Sequence, residues 1–157
     1  MINSNKVNDR YIKNQSAYKK FLASADIKKL IPKLEVLAED AYKKTDCLQC
    51  AACCKNYSPR FKAPDLKRIS KYLNIRESEL IAQFLHRDED GDYVLNTKPC
   101  TFLGEDNYCS IYEVRPSDCH RFPYVDEDVL LKRAALTIKN ASFCPIVQDT
   151  LESLMKV

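Results

Sequence analysis

Tryptophan is absent and glycine nearly so: a chain of 157 residues carries only Gly91 and Gly104. That scarcity removes whole classes of chemistry. A P-loop or a G-x-G-x-x-G turn needs several glycines so that backbone N–H groups can close on phosphate, and neither is present. There is no G-x-S-x-G elbow, no H-E-x-x-H helix and no C-x3-C-x2-C of the radical SAM type. Acyl transfer, nucleotide hydrolysis and Rossmann-type dehydrogenation therefore have no recognisable seat. Long apolar runs are missing too, which predicts no transmembrane span. The opening residues, Met1 to Arg10, lack the apolar stretch of a secretory signal, so a cytoplasmic protein is expected. In that reducing compartment an even number of cysteines reads as metal ligation or redox chemistry, not as a disulfide framework.

What is present fits one folded domain of modest core, with hydrophobic residues at 45% and charged residues at 30%. The net charge of +3 is unevenly spread. Residues 1–45 hold ten Lys/Arg against five Asp/Glu, whereas the remainder holds fifteen against seventeen. The basic third reads as a solvated helix face. No aromatic residues interleave its lysines as a nucleic-acid groove would require, so neither nucleic acid nor membrane is expected as a partner.

Residues 1–15 are polar and aperiodic and read as a loose arm. From about Ser16 to Lys44 a helical stripe of Ile27, Leu30, Ile31, Leu34, Leu37, Ala38 and Ala41 follows, with Pro32 expected to kink or divide it. Pro64–Leu73 reads as a helix with Leu66, Ile69, Tyr72 and Leu73 inside and Asn74 as its cap. A second helix is expected over Arg76–His86. Asp90-Gly91 is a hairpin signal before a short strand Tyr93–Leu95. The acidic run Asp88–Asp92 does not make a calcium loop, because Tyr93 and Pro99 stand where Gly and Glu are needed. Short segments at Cys100–Leu103 and Tyr108–Tyr112 flank Gly104, and a turn of helix starts at Pro116. Val129–Ile138 is compatible with strand or helix, and a closing helix runs from Pro145. The expected fold is α+β, a small single domain, mainly helical with short irregular strands. It comprises a basic helical section, residues 1–45, and a cysteine-rich core with the closing helix, residues 46–157.

Eight cysteines carry most of the functional information. Four lie in Cys47-Leu48-Gln49-Cys50-Ala51-Ala52-Cys53-Cys54, and four are singles: Cys100, Cys109, Cys119 and Cys144. Zinc and iron–sulfur sites usually take four thiolates each, so all eight are candidate ligands for more than one site. Cys47, Cys50 and Cys53 with the remote Cys144-Pro145 have the three-plus-one flavour of a [4Fe–4S] site. On a continuous helix Cys47, Cys50 and Cys54 would share a face at i, i+3 and i+7, leaving Cys53 aside. Adjacent side chains diverge, so Cys53 and Cys54 are expected to serve two neighbouring environments. One would be completed from Cys47 and Cys50, the other from the downstream singles.

These segments, with Pro99-Cys100-Thr101-Phe102-Leu103, Cys109-Ser110-Ile111-Tyr112-Glu113-Val114-Arg115-Pro116-Ser117-Asp118-Cys119-His120-Arg121-Phe122-Pro123 and Cys144-Pro145, resemble the CxxCxxCC family of zinc- or iron-chelating domains. Flagellin lysine N-methylases carry the same cysteine-rich part. The resemblance runs from about Cys47 to Pro145. It implies a metal-chelating domain holding zinc or an iron–sulfur cluster. A relative or component of a protein lysine N-methyltransferase and an iron–sulfur electron carrier are the alternatives it leaves open. One departure concerns loop geometry: the family often has Gly after its second cysteine, where this chain has Ala51.

Around the ligands, His120 is placed to support Cys119, and His86 reads as a solvated residue at a helix end. Arg115 is placed to bond sulfur or loop carbonyls, or to make a surface ion pair. Tyr112, Phe102 and Phe122 are expected to shield the sulfurs from water. No catalytic residue is assigned. The chain reads as a binding or metal-handling module whose expected partner is a metal ion or cluster, with a protein partner as the further option.

Overall fold

The computed structural model describes residues 3–157. In chain order it contains α1 (Ser4–Ser24), α2 (Ile27–Lys44), α3 (Cys47–Cys50), α4 (Ala52–Asn56), α5 (Ala63–Leu73), α6 (Glu77–Phe84), β1 (Leu85–Arg87), β2 (Tyr93–Leu95), a 3-10 turn Tyr112–Val114, α7 (Ser117–Arg121), α8 (Val129–Lys132), α9 (Ala134–Ala141) and α10 (Pro145–Met155). With 63% of residues helical and one two-stranded sheet, the class is mainly helical α+β. Among the described residues no helix is long and apolar enough to cross a membrane. The described residues form two compact units, one made of those up to Cys50 with Pro123–Val157, the other of Ala51–Phe122.

In the first unit the expected loose arm is instead the long helix α1. Asn3 starts it by accepting from the amides of Asn5 at 3.0 Å and Lys6 at 3.4 Å. Its buried residues, Val7, Tyr18 and Leu22, are too sparse to read as a stripe, and long-range partners hold it. Arg10 donates to Glu152 at 2.6 and 3.0 Å and to Asp149 at 2.7 Å, and the Tyr18 hydroxyl donates to Glu152 at 2.6 Å. The Gln148 amide donates to the Val7 carbonyl at 2.9 Å. Pro32 does not divide the next helix. The break falls at Asp26, whose carboxylate caps α2 through the Lys29 amide at 3.3 Å. Pro32 and Lys28 are both exposed, so the carbonyl left without a donor faces water. Leu30, Leu34, Ala38 and Ala41 of α2 pack with Ile146, Val147, Leu151 and Leu154 of α10 in the core.

Burial alone would raise the Glu152 carboxyl, but the hydrogen bonds from Arg10 and Tyr18 outweigh it and hold the group below its ordinary value. A depressed carboxylate contributes stability that is fully present above the unfolded value, about 4.3, and is lost as pH falls through the folded one. Glu152→Gln is therefore expected to cost about 1–2 kcal/mol at neutral pH and to flatten the acid limb of the stability curve. Denaturant melts of both proteins from about pH 3 to pH 7 check this; parallel curves would contradict it.

In the second unit Phe61, Leu66, Ile69, Leu80, Leu85, Leu95, Phe102 and Ile111 form one core. Asn74 ends α5 in the left-handed region at φ 56°, as its sequence position suggested. Tyr72, expected inside, is 49% exposed. The second helix stops at Phe84, earlier than expected, because residues 85–87 pair with residues 93–95 in antiparallel register, Leu85 opposite Leu95. His86 is thus an exposed strand residue, its Nδ1 2.8 Å from Asn96 Oδ1. The Asp88 carboxylate closes the intervening turn, accepting from the amides of Asp90 and Asp92, each at 3.0 Å. The ambiguous 129–138 stretch is helical, as α8 and α9.

Candidate metal centre

The quartet starts as one helical turn. The amides of Gln49 and Cys50 donate to the Asp46 carbonyl at 3.2 and 3.0 Å. Ala51 then turns left-handed, φ 50° and ψ 12°, and α4 restarts beyond it. The shared helical face expected for Cys47, Cys50 and Cys54 does not form, because one residue leaves the right-handed helix between them. The division between the two units falls at this same residue. Ala51 is buried and bears a Cβ where glycine is the easy residue. Ala51→Gly exchanges that strain, about 1 kcal/mol, for loss of a buried methyl of similar worth, and is expected to be near neutral. Ala51→Val keeps the strain and adds β-branching, and is expected to cost about 2 kcal/mol or more in a denaturant melt.

In the unit that holds Cys47, Cys50 and Cys144, the buried Cys144 is the N-cap of α10, just before Pro145. Burial pushes its thiol up to about 12, and the charges of Cys47 and Cys50 add to that, while the amides of Val147 and Ile146 donate to the sulfur and oppose it. Cys47, at the exposed side of α3, is raised by desolvation, then by Cys50 and Asp46. Burial also raises the Tyr42 hydroxyl, followed by the charges of Asp126, Cys47, Cys144 and Glu127.

The other unit gathers thiols from four separate stretches. The Cys100 amide donates to the Cys54 carbonyl at 2.7 Å. Leu103 bridges Cys109 in antiparallel fashion, and the Ser110 amide donates to the Phe102 carbonyl at 2.8 Å. Gly104 makes this bend close: a Cβ there would stand 2.8 Å from Asp106 Oδ1, displacing that side chain, and 3.2 Å from the Tyr108 carbonyl. Cys119 rides on α7. Cys54 is lowered to about 7 by the hydrogen bond with Cys53, against its burial. Burial pushes Cys100 up to about 11, with Cys54 and Cys109 adding to it. Cys119 is raised further, by burial and then by the charges of Cys54, Cys100 and Cys109. Cys109 is raised by burial and by Cys54. Backbone amides point at sulfur again: Phe102 and Leu103 at Cys100, Ile111 at Cys109.

Two buried carboxylates hold α7, and sequence reasoning had missed both. Asp118 accepts from Arg60 through its amide at 3.1 Å, Nε at 2.9 Å and Nη2 at 3.2 Å. Asp65 accepts from the Ser117 amide at 3.1 Å, the Lys62 amide at 2.9 Å and Arg68 Nη2 at 2.8 Å. Asp65 was legible as an acid in the first turn of a helix opened by proline; nothing local marks Arg60. Arg115 takes the loop-carbonyl role, donating to the Tyr112 carbonyl at 2.8 Å, with its guanidinium 4.0 Å from that ring's centre. Its Nη2 lies 2.8 Å from His120 Nδ1, which must then accept. Phe102 is buried in the core, whereas the half-buried Phe122 packs on Tyr57 at 4.9 Å.

No disulfide joins any of the eight cysteines. Among the described residues no group of three or more His, Cys, Asp or Glu side chains is arranged so that it could hold a metal ion, so the sulfurs are gathered without being converged. The donor set nonetheless suits a thiophilic cation. Amides aimed at sulfur favour the thiolate, and a cation removes the repulsion that raises the neighbouring thiols. A profile of the CxxCxxCC family, described as "Putative zinc- or iron-chelating domain", matches residues 46–145. No curated protein and no solved structure matches the chain.

Proposed function

The chain belongs to the CxxCxxCC family, and from that premise we propose that it is a metal-handling module which holds zinc or an iron–sulfur cluster through thiolates of Cys47, Cys50, Cys53, Cys54, Cys100, Cys109, Cys119 and Cys144. The observation that carries this reading is the gathering of Cys54, Cys100, Cys109 and Cys119, from distant parts of the sequence, into one another's field. Gathering several half-buried thiols with amides directed at sulfur serves no packing purpose that alanine or valine would not serve as well. A bound cation supplies the countercharge that lets these sulfurs ionise together. The chain's own part is to exclude water with Phe102 and Ile111, to steer the sulfurs with backbone amides, and to brace α7 through Asp118 and Asp65. The Cys144-Pro145 step inclines the choice towards iron–sulfur when oxygen is excluded, with zinc replacing it after aerobic preparation. Protein purified without oxygen is expected to contain stoichiometric iron with acid-labile sulfide and a broad absorption band near about 400 nm. Stoichiometric zinc in that sample would refute the cluster and leave chelation standing. Metal-free protein with all eight native thiols reactive would refute chelation itself.

A further inference from the structure

We propose that α1 is a detachable strap: it leaves its seat on α9 and α10 as one body, hinged at Ala25 and Asp26, while α2, α9 and α10 stay packed. The starting point is how little of α1 is buried. Of its 21 residues Val7, Tyr18 and Leu22 alone are buried, whereas α10 buries seven of its eleven. The apolar core of this unit joins α2 to α10, and α1 lies on α9 and α10 beside it. Segments with few buried apolar contacts open at lower free energy than the core they rest on.

The contacts that hold α1 are polar and converge on one stretch of α10. Arg10 grips Glu152 through Nε and Nη2 and reaches Asp149, and the Tyr18 hydroxyl donates to the same Glu152 carboxylate. Gln148 Nε2 donates both to the Val7 carbonyl of α1 at 2.9 Å and to the Ala141 carbonyl of α9 at 2.7 Å. Arg10, Asp149 and Glu152 are partly exposed, so water competes for these bonds and salt screens the charges. Such a fastening can be undone and remade without disturbing the apolar core.

Two further features favour opening. Gln148 is wholly buried, and its side-chain oxygen has no hydrogen-bond partner among the described residues. Because its carboxamide lies against Val7, undocking α1 admits water to that oxygen and offsets part of the loss of the other bonds. The hinge is also already shaped for release. Ala25 and Asp26 are extended, and the bonds accepted by Asp26 run forward to the amides of Lys29 and Leu30. Helix α2 therefore keeps its cap when α1 leaves.

Native-state hydrogen exchange on the full-length chain, followed at several low denaturant concentrations, tests the strap. The amides of α1 from Tyr11 to Leu22 are expected to exchange as one group, through an opening of lower free energy and shallower denaturant dependence than α2 and α10 show. One slope shared by all three helices would overturn the proposal. Arg10→Met should speed exchange in α1 about tenfold or more, and unchanged exchange there would overturn the polar fastening. Leu34→Ala, in the core between α2 and α10, should speed exchange in α10 about tenfold or more and leave α1 within about threefold of wild type. Equal acceleration in α1 would show that it opens only with the whole unit, which also overturns the strap. Should Leu34→Ala fail to fold, the wild-type slopes decide. None of these measurements reads a metal, so the strap stands or falls separately from chelation.

Discussion

Stripping the metal with a strong chelator under reducing conditions is expected to lower the melting temperature by about 10 °C or more. A metal that binds the folded chain and not the unfolded one adds its binding free energy to folding, and structural zinc contributes about 10–16 kcal/mol in small peptides. For a chain of this size each kcal/mol is worth roughly 2–4 °C, so even a third of that range gives a shift outside any experimental scatter. The physical source is the crowding of thiols. Burial raises Cys100, Cys109 and Cys119 when no cation is near, and the charge of Cys54 adds to each of them. Calorimetry of the loaded and stripped protein, followed by readdition of zinc, measures the effect. A melt unchanged by stripping would show that metal carries none of the fold.

Arg60→Ala is expected to cost about 2–3 kcal/mol. Asp118 is 1% exposed and takes two of its side-chain hydrogen bonds from the Arg60 guanidinium. Removing one partner of a fully buried pair costs about 3–5 kcal/mol, and because the Arg60 side chain is 46% exposed the lower part of that range is discounted further. Lys62 Nζ stands 3.9 Å from Asp118 and offers partial compensation. Because α7 carries Cys119, the variant should also release metal faster, which loss of a surface ion pair would not produce. Arg60→Lys should recover only part of the loss, since an ammonium cannot reproduce the forked donation. A change within about 0.5 kcal/mol with unaltered metal release would contradict this account.

Much of this was legible in local sequence, and the misses have identifiable physics. Helix α5 was marked at both ends, by Pro64 and by Asn74, and the hairpin turn by Asp90-Gly91, because these residues act on their own backbone. Helix α1 was not legible, since Arg10 and Tyr18 are held by Glu152, more than a hundred residues away in sequence. Strand β1 was read as the end of a helix because His86 and Arg87 have no strong preference of their own and take their conformation from Val94 and Tyr93. The cysteines were recognisable as a set from spacing alone. The break between Cys50 and Cys53 was marked only by resemblance, through the glycine that often stands at position 51, because alanine itself has no preference for the left-handed region.

One unit is continuous in sequence and the other is not, and that difference sets an order in time. Everything from Ala51 to Phe122 has been synthesised before α8, α9 and α10 exist. Cys53, Cys54, Cys100, Cys109 and Cys119 are therefore all present in the chain while Cys144 is still to be made. The unit that contains α1 and α2 must wait for the last helix to bury Leu34 and to give Arg10 its carboxylates. At about 5–20 residues per second the interval is a few seconds, long compared with helix formation. A nascent chain thus completes the residues of its continuous unit first and the partners of α1 and α2 last.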